Sequence, residues 1–342
     1  MPSGADAAGL LRTAGENCGM NVLVCGGAGY IGSHMVALLL ERGHEVTVFD
    51  NLSTGYREAV LGGRFERGDL GDSAALDRVL GSHSFDAVMH FAAFIRVEES
   101  VATPGKYFRN NFCNTVNLLE AMVRNRVRRF IFSSTAAVYG EPRYVPIDEK
   151  HPREPINPYG SSKRMVEDVL GYYSGAHGLQ SVPLRYFNAA GADPQGRLGP
   201  RHEPITHLIP LVLRAAAGVN ADVKVFGRDY PTPDGTAIRD YIHVWDLCEA
   251  HLAALDYLMK GGHTQAFNLG VGRGYSVQEV IDAVRRVTGR EFAVVTQGRR
   301  AGDPVHLVAD ASLAQRVLGW TPRSSDIDTI VAHAWKWQLK NQ

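Results

Sequence analysis

The stretch Asn21-Val22-Leu23-Val24-Cys25-Gly26-Gly27-Ala28-Gly29-Tyr30-Ile31-Gly32 decides the fold. Residues 21–25 are largely apolar and β-branched and read as a short buried strand. Residues 31–42 carry apolar side chains at helical spacing, and Gly43 ends them. Between the two lies a glycine turn. Gly26 permits the tight reversal, Gly29 lets the main chain approach a pyrophosphate, and Gly32 lets the helix pack against the strand. The helix N-terminus offers free N–H donors and the positive end of its dipole to phosphates. The spacing is GxxGxxG, not the GxGxxG of many dehydrogenases, so the next strand carries weight. Residues 45–49 form that strand, and Asp50 follows it, 18 residues past Gly32. A carboxylate there accepts hydrogen bonds from an adenosine ribose and repels a 2′-phosphate, which points to NAD over NADP. Asp69, after a third strand, is either a partner for the adenine amino group or the N-cap of a helix over 70–80.

Outward from this unit the alternation continues. Strands are expected at 85–90, 129–133 and 181–187, with helices near 73–81, 107–126 and 160–177. Repeated strand–helix units imply a Rossmann-type α/β fold, a doubly wound parallel sheet with helices on both faces. Past Asn188 glycine and proline cluster at 191–204 and 227–235. Short strands at 223–226, 266–269 and 292–296 then mix with helices near 207–217, 244–259 and 276–287. The expected division is a disordered extension over 1–19, a dinucleotide-binding domain over 20–188, and a smaller α/β substrate lobe over 189–342. These last two are free to exchange segments.

The chain has 342 residues, 45% hydrophobic, enough for a large core. Lys+Arg and Asp+Glu both number 36, so no net basic field exists to hold nucleic acid or an anionic membrane. An anionic ligand must be held by local devices. Cys18, Cys25, Cys113 and Cys248 are scattered, as expected of thiols in a reducing cytoplasm. The histidines show no metal-ligand spacing, and no metal is expected. Residues 1–20 lack the basic start and apolar run of a secretory signal, and no later run is long enough to span a bilayer.

Chemistry enters with Tyr159 and Lys163, spaced i, i+4 at a helix start and so on one face. A free tyrosine has a pKa of about 10 and is a poor base at neutrality. A nearby ammonium and an oxidised nicotinamide both favour its phenolate. Tyr159 can then take an alcohol proton while hydride leaves the same carbon. The strand end Ser133-Ser134-Thr135-Ala136-Ala137-Val138-Tyr139 supplies hydroxyls to hold the reacting oxygen.

At this point the chain resembles the extended short-chain dehydrogenase/reductases and, within them, the UDP-glucose (UDP-galactose) 4-epimerases. The runs that carry the likeness are GGAGYIGSH (26–34), FDN (49–51), HFAA (90–93), FSSTAAVYG (132–140), NPYGSSK (157–163), RYFNAAGA (185–192), THLIP (206–210), DGTAIRDYIHV (234–244) and RRAGD (299–303). They extend over nearly the whole chain beyond residue 20. The resemblance implies NAD held by Gly26, Gly29, Tyr30, Ile31, Gly32, Asp50, Asn51, Asp69, Leu70, Phe91, Ala92, Ala93, Asn110, Ser133, Tyr159, Lys163 and Phe187. It implies a UDP-sugar held by Thr135, Tyr159, Asn188, His207, Val225, Phe226, Arg239, Arg300, Asp303 and Leu307. Asn188, Arg239 and Arg300 would meet the diphosphate, Asp303 the uridine ribose, and Val225–Phe226 the uracil. Arg239 has an alternative reading as the partner of Asp240.

The implied catalytic set is Tyr159, Lys163 and Thr135, and the implied reaction interconverts UDP-glucose and UDP-galactose. The C4 hydride goes to NAD, the 4-keto sugar turns about its diphosphate, and the same hydride returns to the other face. Dehydratase relatives carry an acidic pair where this chain has Ala136 and Ala137, so elimination is not expected. UDP-pentose 4-epimerisation, or net oxidation with release of NADH, are the alternatives, and a non-catalytic NAD-binding module is a third. Thr135 stands where many members have serine, His207 where some have asparagine, and Ile95 where some have lysine. Members of this group are usually homodimers, and a homodimer is expected here.

Overall fold

In the computed structural model, residues 19–201, 204–300 and 304–341 are described. The extension expected over 1–19 falls, except for Gly19, outside them, and so does Asp303.

The first half alternates as its periodicity requires. Strands β1 (Asn21–Cys25), β2 (Glu45–Asp50), β3 (Arg64–Arg67), β4 (Ala87–His90), β5 (Arg129–Ser133) and β6 (Gln180–Tyr186) follow one another. Between them run α1 (Tyr30–Glu41), α2 (Ser73–Ser82), the short α3 (Val97–Ala102) and α4 (Pro104–Tyr107), α5 (Asn114–Arg124) and α6 (Pro158–His177). The second half adds β7 (Asn188–Ala190), α7 (Leu208–Ala216), β8 (Asp222–Phe226), β9 (Ile238–His243), α8 (Val244–Met259), β10 (Phe267–Leu269), β11 (Gly274–Ser276), α9 (Val277–Thr288), β12 (Ala293–Gln297), β13 (His306–Leu307), α10 (Ser312–Leu318) and α11 (Ile327–Lys340).

The main sheet has seven strands in the order β10-β6-β5-β4-β1-β2-β3, all parallel. Both faces are covered. Leu23, Cys25, Val88, Phe130 and Phe132 pack towards α2, α5 and α6 in one cluster. Val22, Val24, Met89, Ile131 and Val182 pack towards α1 and α8 in another. Full burial of each such side chain contributes roughly 1.5–3 kcal/mol before chain entropy is counted. The order reverses beside β1, where β4 lies on one side and β2 on the other. Such a switch point opens a crevice at the carboxyl ends of the strands.

Segments from the second half of the chain return to the first. Strand β10 returns from residue 267 to pair with β6, and α8 packs on α1 in the first cluster. The remaining strands form smaller sheets, β11-β9-β13 with β7 attached to β9, and the parallel pair β12-β8. Helices α7, α9 and α11 enclose a separate core with Val225, Tyr241 and Ile330. The helix expected over 107–126 is interrupted. Its first part, Phe108–Cys113, is a π-helical turn, a rare widening found mostly at functional positions. No helix among the described residues is long and apolar enough to cross a membrane.

Candidate active site

A cleft of about 1140 Å³ runs across the carboxyl ends of the strands. The glycine turn forms its floor. Gly26 has φ +82°, and a Cβ there would stand 2.4 Å from the Ala92 nitrogen. A Cβ on Gly32 would stand 2.1 Å from the Gly26 carbonyl oxygen. Side chains are therefore excluded where helix, turn and strand meet. Gly29 caps α1 with no side-chain acceptor, so the first-turn N–H groups of Tyr30, Ile31 and Gly32 are left to the cleft they line.

Asp50 ends β2 and is buried. Its Oδ2 accepts the Ala28 N–H at 3.0 Å, and its Oδ1 accepts the Leu52 N–H at 2.8 Å. Burial pushes its carboxyl up and these two donors oppose that rise. Each oxygen retains a further acceptor site for a ribose hydroxyl. Asp69 is not a helix cap. It accepts from Asn51 Nδ2 at 2.6 Å and from the Gly71 N–H at 2.7 Å, while Asp72 caps α2 through the Ala74 and Ala75 N–H groups. Asp69, Asn51 and Leu70 thus line the cleft together with Asp50. Phe91, Ala92 and Ala93 line the loop after β4. Asn111, on the π-helical turn, pins that loop by accepting the Phe94 N–H and donating to the Phe94 carbonyl, both at 2.9 Å. Asn110 on the same turn lines the cleft and donates to Asn111 at 2.9 Å.

The reacting groups come from β5 and α6. Asn157 caps α6 by accepting the Gly160 N–H at 2.9 Å, and Pro158 occupies its first turn. One turn of helix then separates Tyr159 from Lys163. The Thr135 hydroxyl accepts the Ala137 N–H at 3.1 Å and lies near the Tyr159 phenol, whose charged form it favours. Lys163 is buried and donates Nζ to the Ser133 carbonyl at 2.8 Å. Burial lowers this lysine from 10.5 to about 7. The Tyr159 phenol is pushed up by burial, with the nearby Thr135 hydroxyl opposing. In the protein alone burial thus favours the neutral phenol, and a bound oxidised nicotinamide would oppose it.

The three hydroxyls of the strand end also separate. Ser133 Oγ bonds Tyr186 Oη, and Ser134 Oγ donates to Glu167 at 2.5 Å, so Thr135 alone faces Tyr159. Ser133, Phe187, Asn188, His207, Arg300 and Leu307 all line the cleft. Asn188 Nδ2 donates to the Asp240 carbonyl at 3.1 Å. Arg300 lies 3.9 Å over the Phe226 ring and 3.9 Å from Glu98 across the cleft. Val225, by contrast, is buried in the core of the second lobe, and neither it nor Phe226 nor Arg239 lines the cleft. The Asp240 carboxylate accepts N–H groups of Val271, Gly272 and Ala309 at 2.9–3.2 Å. Cleft residues that sequence reading passed over include Ser53, Lys106, Asn157 and Pro204. Asn157 was open to discovery as a cap residue directly before Pro158.

Residues 22–270 match the model of the NAD dependent epimerase/dehydratase family. The chain belongs to this family. It is 50% identical to the UDP-glucose 4-epimerase of Halalkalibacterium halodurans over 94% of this chain and 96% of that protein. The crystal structure of the UDP-glucose 4-epimerase of Brucella ovis with NAD superposes with a TM-score of 0.91 at 49% identity, covering 92% of this chain and 97% of that one. The UDP-Glc/GlcNAc 4-epimerase of Campylobacter jejuni superposes with a TM-score of 0.83 at 45% identity, covering 94% and 100%.

Proposed function

We propose that this chain is an NAD-dependent UDP-glucose 4-epimerase, which interconverts UDP-glucose and UDP-galactose. The observation that carries the reading is that Thr135, Tyr159 and Lys163 line one cleft beside Ala136 and Ala137. A proton acceptor and a hydroxyl clamp are present, and the positions that would need an acid or base for elimination hold methyl groups.

Bound NAD would supply a reversible hydride acceptor, and its oxidised ring would carry positive charge. Its fit is supported by the tight turn that Gly26 and Gly32 permit, which leaves the N-terminus of α1 without a side-chain cap beside the cleft, and by the buried acceptor Asp50. Gly29, Tyr30 and Ile31 would meet its pyrophosphate, Asp50 and Asn51 its adenosine ribose, and Lys163 its second ribose. Tyr159 Oη takes the proton of the sugar C4 hydroxyl, and Thr135 Oγ1 orients that oxygen. The Lys163 ammonium, with the positive charge of a bound oxidised nicotinamide, would favour the Tyr159 phenolate that accepts this proton. The 4-keto sugar then turns within the cleft, and Tyr159 returns the proton to the C4 oxygen, whose carbon now presents its opposite face. Asn188 and Arg300 would hold the diphosphate, the guanidinium fork matching two phosphate oxygens. His207 and Leu307 would border the sugar.

Leu307 supports a second substrate class. It packs beside Phe187, Val138 and Tyr139 at the edge of the cleft and presents no ring to the sugar. The UDP-N-acetylhexosamines are therefore proposed as secondary substrates. A homodimer is proposed as well, with Tyr172 of α6, 77% exposed, on the joining face. The test is incubation of the purified protein, without added cofactor, with UDP-glucose, UDP-galactose, UDP-N-acetylglucosamine and UDP-xylose. Chromatography should show the C4 epimers of the first three. Product only from the pentose, or none without added NAD, would remove the reading.

A further inference from the structure

Behind the reacting groups lies a buried polar cluster that the mechanism above leaves unused. Glu167 stands one helical turn past Lys163 on α6 and shares its face with Tyr159. Its side chain is 3% exposed. Ser134 Oγ donates to it at 2.5 Å, Arg185 Nη2 at 2.6 Å, Arg185 Nε at 3.0 Å and Arg153 Nη1 at 3.0 Å. Arg185, itself buried on β6, also donates Nη1 to Tyr139 Oη at 2.9 Å, and Tyr139 donates to Asn268 on β10 at 2.6 Å. Neutralising a buried carboxylate needs only an arginine. The additional grip on Ser134 has a geometric consequence. Ser134 lies between Ser133, whose carbonyl holds Lys163, and Thr135, which lines the cleft with Tyr159.

We propose that Glu167 is a positioning residue of this active site, which anchors the strand end bearing Thr135 through Ser134 and serves as the counter-charge of Lys163. The inference rests on the epimerase reading for its catalytic consequence. The groups facing Lys163 are the Ser133 carbonyl and Phe132 ring on β5, neutral His90 on β4, and Tyr159 and Glu167 on its own helix. Glu167 is the one negative charge among them. It opposes the burial that pulls the lysine towards its uncharged form. A lysine that lost its proton would stop favouring the Tyr159 phenolate, so activity should fall as pH rises through the lysine's titration.

The test compares wild type, Glu167→Gln and Ser134→Ala, each as full-length protein with the cofactor it retains on purification. Lysine Nζ titration is read by NMR on isotope-labelled lysine, and kcat is read against pH. In Glu167→Gln the Lys163 midpoint and the alkaline limb of kcat should both fall by about one pH unit, with NAD content kept. Ser134→Ala should lower kcat roughly tenfold, leaving KM within about twofold and the limb unmoved. An unchanged Lys163 midpoint in Glu167→Gln overturns the counter-charge, whatever the rate does. Wild-type kcat in Ser134→Ala overturns the anchor, and decides the matter if Glu167→Gln does not fold. If wild type itself converts no UDP-sugar, the epimerase reading fails while the NMR titration still judges the counter-charge.

Discussion

Lys163 and Ser133 are joined by a 2.8 Å hydrogen bond in which the lysine Nζ donates to a main-chain carbonyl. The bond ties the helix that carries the proton acceptor to the strand that carries the hydroxyl clamp. It also takes one of the three ammonium donors, leaving two for a ligand. Activity therefore depends on how α6 is seated on β5 as much as on the residues that touch the sugar.

Tyr159→Phe removes the proton acceptor and nothing from the fold. Turnover should fall by roughly 10²–10⁴-fold while NAD content and thermal stability stay near wild type. A variant that keeps a tenth of the wild-type rate would show that another group takes the proton.

Gly160→Ala tests the seating. A Cβ at 160 would stand 2.4 Å from the Ala137 carbonyl oxygen, main chain that has little room to yield. The substitution should destabilise by about 1–3 kcal/mol. Because Tyr159 and Lys163 flank the shifted turn, kcat should fall further than the lost folded fraction explains. Chemical denaturation paired with rates normalised to folded protein checks this, and wild-type values of both would place α6 elsewhere.

Asp50→Ala should weaken NAD retention and admit NADP, because the carboxylate that repels a 2′-phosphate is gone. It should also loosen the glycine turn, since the Ala28 and Leu52 N–H groups lose their acceptor, at about 1–3 kcal/mol. Reconstitution of the apoprotein with each cofactor measures the first effect. An unchanged preference would mean that Asp50 does not meet the ribose.

Leu307→Tyr should suppress turnover of UDP-N-acetylglucosamine much more than that of UDP-galactose. The added ring narrows the cleft where a C2 substituent would lie, and steric exclusion discriminates by size. In a competition assay, equal losses on both substrates would take Leu307 out of the specificity wall.

Much of the cofactor end was legible in the sequence because its signals are local. A strand, three spaced glycines, a helix and an acid after the next strand all lie within 30 residues, from Asn21 to Asp50. The Tyr159–Lys163 spacing was legible for the same reason. What the sequence hid depends on distant partners. Val225 follows the alternation of a half-buried strand, yet its side chain faces the second core, which only the packing of α7 and α9 reveals. The return of β10 to the main sheet needs a pairing between residues near 185 and 268. Arg185 did leave a sign, since a guanidinium inside an apolar strand needs a buried acid, and Glu167 lies on α6, the helix just before that strand.

The central claim is that hydride leaves and returns to one carbon without a second substrate. Supplying UDP-galactose with deuterium at C4 to the purified protein, without added NAD, tests it most directly. The account predicts UDP-glucose that keeps the deuterium at C4, over many turnovers of the retained cofactor. Loss of the label to solvent, or accumulation of NADH in step with consumed sugar, would contradict it.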